Sequence, residues 1–164
     1  MKKETCSGCG AMATVVRGDY RYVESGLNNV ILLGIEIIRC PKCGNEDPII
    51  PRIAGLHRAL AYAVASQPFR LQGEDVRFLR KYVAMTQAEF AGLLHVHKSN
   101  LSKWEHNEDK IGDQSDRLIR AVAIALGEGL QKKIGEVVKS FPEIRQSARR
   151  RIELNVEDYS WKVA

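Results

Sequence analysis

The sequence predicts an α+β protein, with a small antiparallel β module followed by an all-helical domain. Residues that favour strands fill the stretch from Ala13 to Arg39, and a Cys-x-x-Cys-Gly unit stands on either side of it. From Pro51 onward, apolar residues recur at helical instead of alternating spacing. We therefore expect three units along the chain, namely residues 1–66, 67–141 and 142–164.

The four cysteines form two copies of the same short unit, Cys6 with Cys9 and Cys40 with Cys43, and thirty residues separate the copies. Two thiolates of one tight turn can approach a single ion, and the glycine after each pair permits the positive φ that turns N–H groups toward sulfur. Four thiolates make a closed tetrahedral site, for which Zn²⁺ is the expected occupant. We expect one structural zinc ion per chain; iron in the same site and a thioredoxin-like redox pair are the alternatives.

Strand signals fill the stretch between the two cysteine units. Ala13 to Arg17 and Tyr20 to Glu24 favour strands, and Gly18-Asp19 between them is a hairpin signal. Val30 to Arg39 is a third, largely apolar strand, in which Gly34 indicates a bulge or a bend. These features predict a small antiparallel sheet with the metal at one end.

Helical spacing of apolar residues predicts a connecting helix between Pro51 and Ser66, and we place the domain boundary near Gln67. A further helix follows Leu71. Later in the chain another helix is expected to turn four residues toward the core, and these are Leu118, Ala121, Val122 and Ala125. Leu130 to Phe141 suggests a last helix.

The most informative stretch of the chain is Thr86 to His106, which predicts two short helices joined by a tight turn at His95-Val96-His97. Thr86 and Glu89 form a capping box that fixes the start of the first helix. The core side of the pair is expected to carry Phe90, Leu93, Leu94, Leu101 and Trp104, and the exposed side Lys98, Ser99, Ser102, Lys103 and His106.

This stretch resembles the helix-turn-helix of the phage-repressor family, of Cro/C1 or XRE type, through Thr86-Gln87-Ala88-Glu89, Ala91, Val96 and Leu101 to Glu105. The resemblance implies a five-helix, lambda-repressor-like domain whose second central helix enters the major groove of double-stranded DNA. By position in the motif, Lys98, Ser99 and Lys103 would face bases and Gln87 would meet a phosphate. Asn100 and Ser102 complete the predicted DNA-binding set.

The order of modules resembles the MqsA-type antitoxins, which join a YgiT-type zinc finger to such a helix-turn-helix. The resemblance covers residues 1–139 and rests on the four cysteines, the strands between them, and Thr86 to Glu105. It implies a homodimeric transcriptional repressor of a toxin–antitoxin system, acting on a palindromic operator, whose zinc domain binds an RNase toxin. The alternative is a zinc-containing protein–protein adaptor that does not bind DNA specifically.

The tail, residues 142–164, lies outside this resemblance. Ile152, Leu154 and Val156 alternate with polar residues, as do Tyr159, Trp161 and Val163, which predicts a strand or hairpin. We expect it to pair with the same segment of a second chain or to dock on its own domain. Arg149-Arg150-Arg151 is a dense basic run, for which a solvated tail is favoured over a phosphate contact.

Composition limits the remaining possibilities. The 164 residues include 25 Lys and Arg against 20 Asp and Glu, and the resulting charge of +5 favours a polyanionic partner. No membrane span or signal peptide is evident, so a cytoplasmic location is expected, where cysteines serve as metal ligands more often than as disulfides. No set of nucleophile, base and orienting group and no phosphate-binding glycine loop is present, so neither enzymatic activity nor a small-molecule substrate is expected.

Overall fold

The computed structural model describes residues 2–145 and 150–164. These residues form a mixed sheet and six α-helices, with three short 3₁₀ turns at 23–25, 131–133 and 141–143. The strands are β1 (Lys3–Thr5), β2 (Met12–Arg21), β3 (Val30–Arg39), β4 (Glu46–Pro48), β5 (Ile152–Asn155) and β6 (Trp161–Val163). The helices are α1 (Ile53–Ser66), α2 (Gly73–Tyr82), α3 (Gln87–Leu93), α4 (Lys98–Glu105), α5 (Asp113–Leu126) and α6 (Ile134–Ser140). The α+β class predicted from the sequence is confirmed.

The sheet has the order β1-β2-β3-β5-β6, and β4 pairs with the far end of β3. Every pair is antiparallel except β3 with β5, which run parallel from Val30 opposite Ile152 to Leu33 opposite Asn155. The strands that precede α1 pair antiparallel, as predicted, but the sheet as a whole is mixed. The difference arises because β5 comes from the tail, more than a hundred residues after β3 along the chain.

The strand β2 is continuous where a hairpin was predicted. Gly18 stays in the strand opposite Ile35, and the register then shifts so that Tyr20 faces Leu32. The extra residue lies on β3, where Gly34 has a φ of +59° and donates its N–H to Asp19 Oδ1 over 2.9 Å. The bend predicted at Gly34 is confirmed, and Gly18-Asp19 marks the opposite side of that bulge instead of a turn.

The tail forms the predicted hairpin, and the hairpin joins the sheet of its own chain. β4 pairs with the Ile37–Arg39 end of β3, whereas β5 pairs with the Val30–Leu33 end of the same edge. Ile152 and Leu154 are 0% exposed in the core. The tail therefore completes the sheet of the N-terminal module. Of the basic run, Arg149 lies outside the described residues.

The helix α1 lies between the sheet and the other helices and is buried against both. Its Leu56, Leu60 and Val64 are 0% exposed and belong to one apolar cluster that contains residues of β3 as well as of α2 and α5. The segment after α1, where the domain boundary was predicted, is also buried, since Gln67 is 0% exposed and Arg120 donates to its carbonyl over 2.7 Å. The core thus runs without a break from the sheet to the helices.

The orientation of α5 differs from the prediction. Leu118 is 43% exposed, while Ile119, Ala123 and Ile124 are buried. Asp116 and Arg120 share the buried face as an ion pair, with 2.7 Å between Arg120 Nε and Asp116 Oδ1. A prediction from apolar periodicity assigns charged residues to the exposed side of a helix. Because Asp116 and Arg120 are buried, the predicted core-facing side of α5 is displaced around the helix axis from the observed one.

Candidate metal centre and nucleic-acid interface

The four cysteine side chains meet at one end of the sheet. The Sγ atoms of Cys6 and Cys43 lie 3.6 Å apart, as do those of Cys9 and Cys40, and all four lie within 4.8 Å of one another. A tetrahedral ion with bonds of about 2.3 Å requires sulfurs about 3.8 Å apart. The predicted metal ligands are therefore brought together, in a cluster that could hold a metal ion such as zinc.

Each cysteine pair is held by the same local backbone geometry. Cys6 donates its N–H to Ala11 O over 2.9 Å, and Gly10 donates to Cys6 O over 3.0 Å. The second unit repeats both bonds, from Cys40 to Asn45 O and from Gly44 to Cys40 O, each at 3.0 Å. Both glycines, Gly10 at +70° and Gly44 at +73°, have a positive φ, as the spacing predicts.

The thiols influence one another's ionisation. Backbone N–H groups, that of Cys43 first, lower the pKa of Cys40 to about 6. The N–H of Ala11 acts to lower the pKa of Cys9, but hydrogen bonds with the Cys43 and Cys40 sulfurs raise it to about 12. The Cys40 thiolate therefore forms readily and the Cys9 thiol resists ionisation, whereas a divalent cation at the centre would stabilise all four thiolates.

A small polar network joins the two cysteine units from outside. Asp47 Oδ2 accepts hydrogen bonds from Ser7 Oγ over 2.6 Å and from Asn45 Nδ2 over 2.8 Å. Asn45 also donates to Ser7 Oγ over 3.1 Å. Because Ser7 and Asn45 belong to different units, the network fixes one unit against the other. These three residues carry no spacing signal, so the sequence alone does not predict their role.

The two central helices begin and end close to the predicted positions. The Glu89 N–H donates to Thr86 Oγ1 over 3.3 Å and the Thr86 N–H donates to Glu89 Oε2 over 2.8 Å, which confirms the capping box. The N–H and hydroxyl of Thr86 lower the pKa of Glu89. Phe90 and Leu94 are buried as predicted, whereas Leu93 is 49% exposed.

Two histidines shape the turn between α3 and α4. His95 has a φ of +56°, a left-handed conformation that glycine adopts with least strain. His97 is the N-cap of α4: its Nδ1 accepts the Ser99 N–H over 3.3 Å and lies 2.7 Å from Ser99 Oγ. Histidine at these two positions therefore still permits a tight turn and a capped second helix.

Most of the predicted DNA-binding residues share the outer side of α4. Lys98, Ser99, Asn100 and Lys103 are exposed and Ser102 is half-buried. On the inner side, Leu101 is 0% and Trp104 is 9% exposed. Lys103 Nζ lies 3.4 Å from Asp109 Oδ2 in the loop after the helix. Both side chains of that ion pair are about half exposed, so a stronger anion can displace the aspartate.

Gln87 is placed differently from the other five. Its Nε2 donates to Glu105 Oε2 over 2.9 Å, so its amide lies at the joint between α3 and α4. Glu105 is only 2% exposed and is also bound by Arg80 of α2. Neither Arg80 nor Glu105 shows an apolar period or a ligand spacing, so the sequence does not predict this buried pair, and Glu105 stands out only as part of the family motif.

No helix within the described ranges 2–145 and 150–164 is long and apolar enough to span a membrane. Comparisons of the chain with protein-family models, with curated proteins and with solved structures find no match.

Proposed function

We propose that this protein is a homodimeric, sequence-specific DNA-binding transcriptional repressor of antitoxin type, with a structural zinc centre. The observation that carries the proposal is the arrangement of α4. A buried inner side anchors the helix, and its outer side carries Lys98, Ser99, Asn100 and Lys103 with no acidic residue among them. A short, firmly packed helix with such a surface fits the major groove of duplex DNA.

The contacts follow from side-chain reach. Lys103, one turn into α4, can donate to the O6 and N7 acceptors of guanine once it leaves Asp109. Ser99 and Lys98, at the start of the helix, meet the adjacent base edges. Gln87 has its nitrogen engaged by Glu105, so a phosphate contact from this residue would need the amide to rotate or a water to bridge.

A palindromic operator requires two subunits, and the outer side of α5 supports a homodimer. Leu118 and Leu126 are 43% and 48% exposed, and Ala121, Val122 and Ala125 lie between them without an intervening charge on that side. Small residues let two helices approach closely, and a twofold axis would bury the same face on both chains. Half-sites would then lie about one helical turn of DNA apart.

The metal that we propose for the cysteine cluster is Zn²⁺. Four thiolates with no position left for water or substrate favour a structural zinc ion over a catalytic one. The ion would hold the two backbone units together at the end of the sheet. The test is the metal content of the purified chain and of Cys40→Ser, with Ser7→Ala as the matched control that keeps all four ligands. Stoichiometric zinc lost only from Cys40→Ser is expected; stoichiometric iron would overturn the assignment.

The N-terminal module also offers a surface for a protein partner, for which we propose an RNase toxin. Met12 is 59% exposed at the start of β2, close to the cysteine cluster. The neighbouring strand β1 pairs on one side only among the described strands. An open edge strand next to an exposed apolar residue is a common site for a partner chain.

The experiment that tests the function is selection of bound sequences from random duplex DNA with the zinc-loaded full-length protein at near-physiological salt. A palindromic motif is the expected result. The double variant Lys98→Ala/Lys103→Ala should enrich no motif. Its matched control is Lys81→Ala/Lys132→Ala, which removes two exposed charges elsewhere and should enrich the same motif as the wild type. A folded, metal-replete sample that enriches nothing would support the protein–protein adaptor instead.

A further inference from the structure

An open hollow of about 270 Å³ lies at the end of the sheet away from the cysteines. Its lining consists of Arg21, Asn28, Asn29, Ile31, Arg150 and Arg151. Three arginines thus line one space, although they come from the end of β2 and from the segment just before β5. The pairing of β5 with β3 brings the two parts of the chain together.

The arginines are held at this hollow by their backbone and by uncharged partners. Arg21 Nη2 donates to Asn28 O over 3.0 Å, and the Arg150 guanidinium lies 5.4 Å from the Phe69 ring. Neither forms an ion pair with a carboxylate within the described part of the chain. Asn29 Nδ2 fixes the tail by donating to Arg150 O over 2.6 Å.

Arg151 is weakly neutralised, since its Nη1 lies 3.9 Å from Glu153 Oε1 and Lys162 Nζ lies 3.0 Å from the other oxygen of the same carboxylate. The hollow therefore carries an excess of positive charge. Guanidinium groups bind phosphate oxygens through paired hydrogen bonds, and so a phosphate is the ligand that this lining fits.

The hollow is linked to the proposed DNA-binding helix by a short chain of hydrogen bonds. Asn28 Nδ2 donates to Glu74 Oε1 over 3.0 Å, and Asn107 Nδ2 donates to Glu74 Oε2 over 3.3 Å. Asn107 follows α4 by two residues and also accepts the Gly73 N–H over 2.7 Å. The basic hollow thus lies on the flank of the molecule next to the end of α4.

We propose that this hollow binds a backbone phosphate of the same duplex whose bases α4 contacts, so that the tail and the N-terminal sheet extend the DNA interface. The inference rests on the proposed function. It assigns to Arg21, Arg150 and Arg151 a contact that adds affinity and fixes the position of the N-terminal module on the DNA, without selecting sequence.

The test compares salt dependence of binding to the selected operator for the wild type and for Arg21→Gln/Arg150→Gln. Each lost phosphate contact reduces the magnitude of the negative slope of log K against log salt by about 0.9. We expect the slope to fall by about one to two, affinity to fall about tenfold at near-physiological salt, and preference among operator variants to remain unchanged. The matched control is Lys2→Gln/Arg39→Gln, which removes two exposed charges at the other end of the sheet.

The outcomes separate this inference from the proposed function. An unchanged slope in the double variant, with specific binding by the wild type, overturns the phosphate site and leaves the function standing. An equal fall in Lys2→Gln/Arg39→Gln also overturns it, because the effect would then report net charge alone. Absence of duplex binding by the wild type overturns both. Circular dichroism of the double variant checks that the β5 pairing survives.

Discussion

Arg80 of α2 holds Glu105 of α4 in a two-pronged ion pair, with 2.5 Å from Nε to Oε1 and 3.1 Å from Nη2 to Oε2. The two side chains are 11% and 1% exposed. Gln87 of α3 donates to the same carboxylate, so three helices meet at one buried charge. The orientation of α4 therefore depends on this cluster as well as on Leu101 and Trp104.

Replacing one partner of this pair should destabilise the whole helical region. Arg80→Met leaves the Glu105 carboxylate buried with only part of its hydrogen bonds, a change that typically costs about 3 to 5 kcal/mol. Urea unfolding followed by tryptophan fluorescence measures it. The control is Lys81→Met, at the exposed position next to Arg80; we expect a loss under about 1 kcal/mol. Equal losses would show that the pair is not the anchor.

The Glu105 carboxylate also makes the free energy of unfolding depend on pH. Burial acts to raise the pKa of Glu105, but hydrogen bonds from Arg80 and Gln87 outweigh it and lower the pKa below its usual value. A lowered folded pKa stabilises the protein above the unfolded value of about 4.3, and the stabilisation is lost as the pH falls through the folded pKa.

Glu105→Gln should therefore be less stable at neutral pH and should lose less free energy of unfolding than the wild type between about pH 5 and pH 3. Equilibrium unfolding at a series of pH values measures both slopes. Glu108→Gln, at an exposed position after α4, serves as the control and should follow the wild type. If the free energy of unfolding changed with pH in the same way for the wild type and Glu105→Gln, Glu105 would not contribute to the loss of stability in acid.

The tail should matter as much to stability as the strands of the N-terminal module. Leu154 is 0% exposed and lies opposite Leu32 in the parallel pairing. Leu154→Ala should lower the free energy of unfolding by about 2 to 5 kcal/mol, since it leaves a cavity in a packed core. Lys162→Ala in the same hairpin, at an exposed position, should cost under about 1 kcal/mol. A small loss in both would mean that the hairpin is not part of the core.

The outer side of α5 should decide the oligomeric state. Leu118→Glu/Leu126→Glu places two charges on the face proposed for the dimer, so we expect a monomer by light scattering at micromolar concentration and weakened binding to a palindromic site. Val23→Glu substitutes a residue that is 52% exposed near the sheet and should remain dimeric. A double variant that keeps the dimer mass would place the interface elsewhere.

Local signals predicted the parts of the fold that depend on neighbouring residues. The two Cys-x-x-Cys-Gly units each close their own turn, the Thr86–Glu89 capping box is complete within four residues, and Val30–Arg39 carries its strand pattern alone. For the same reason the clustering of the four cysteines and the bounds of α4 were predictable. Whether Lys103 and its neighbours contact DNA remains a prediction.

Long-range pairings and buried charges were not predictable from a single sequence. Nothing in the alternation of Ile152 and Leu154 indicates a parallel partner more than a hundred residues away. The segment around Gln67 shows the loop composition of a linker, yet Arg120 binds its carbonyls from α5. A buried charged residue makes the core-facing side of a helix unpredictable from its apolar residues alone, and Asp116 and Arg120 have this effect in α5.

The measurement that tests the account most directly is the affinity of Lys103→Ala for the selected operator and for each of its single base-pair variants. We predict a loss of about 1 to 3 kcal/mol at the cognate site and relaxed preference at one base pair of each half-site, because one base-edge donor is removed. A parallel measurement on Lys132→Ala should leave the preference unchanged. Full discrimination by Lys103→Ala at every position would contradict the proposal that α4 reads the DNA through this residue.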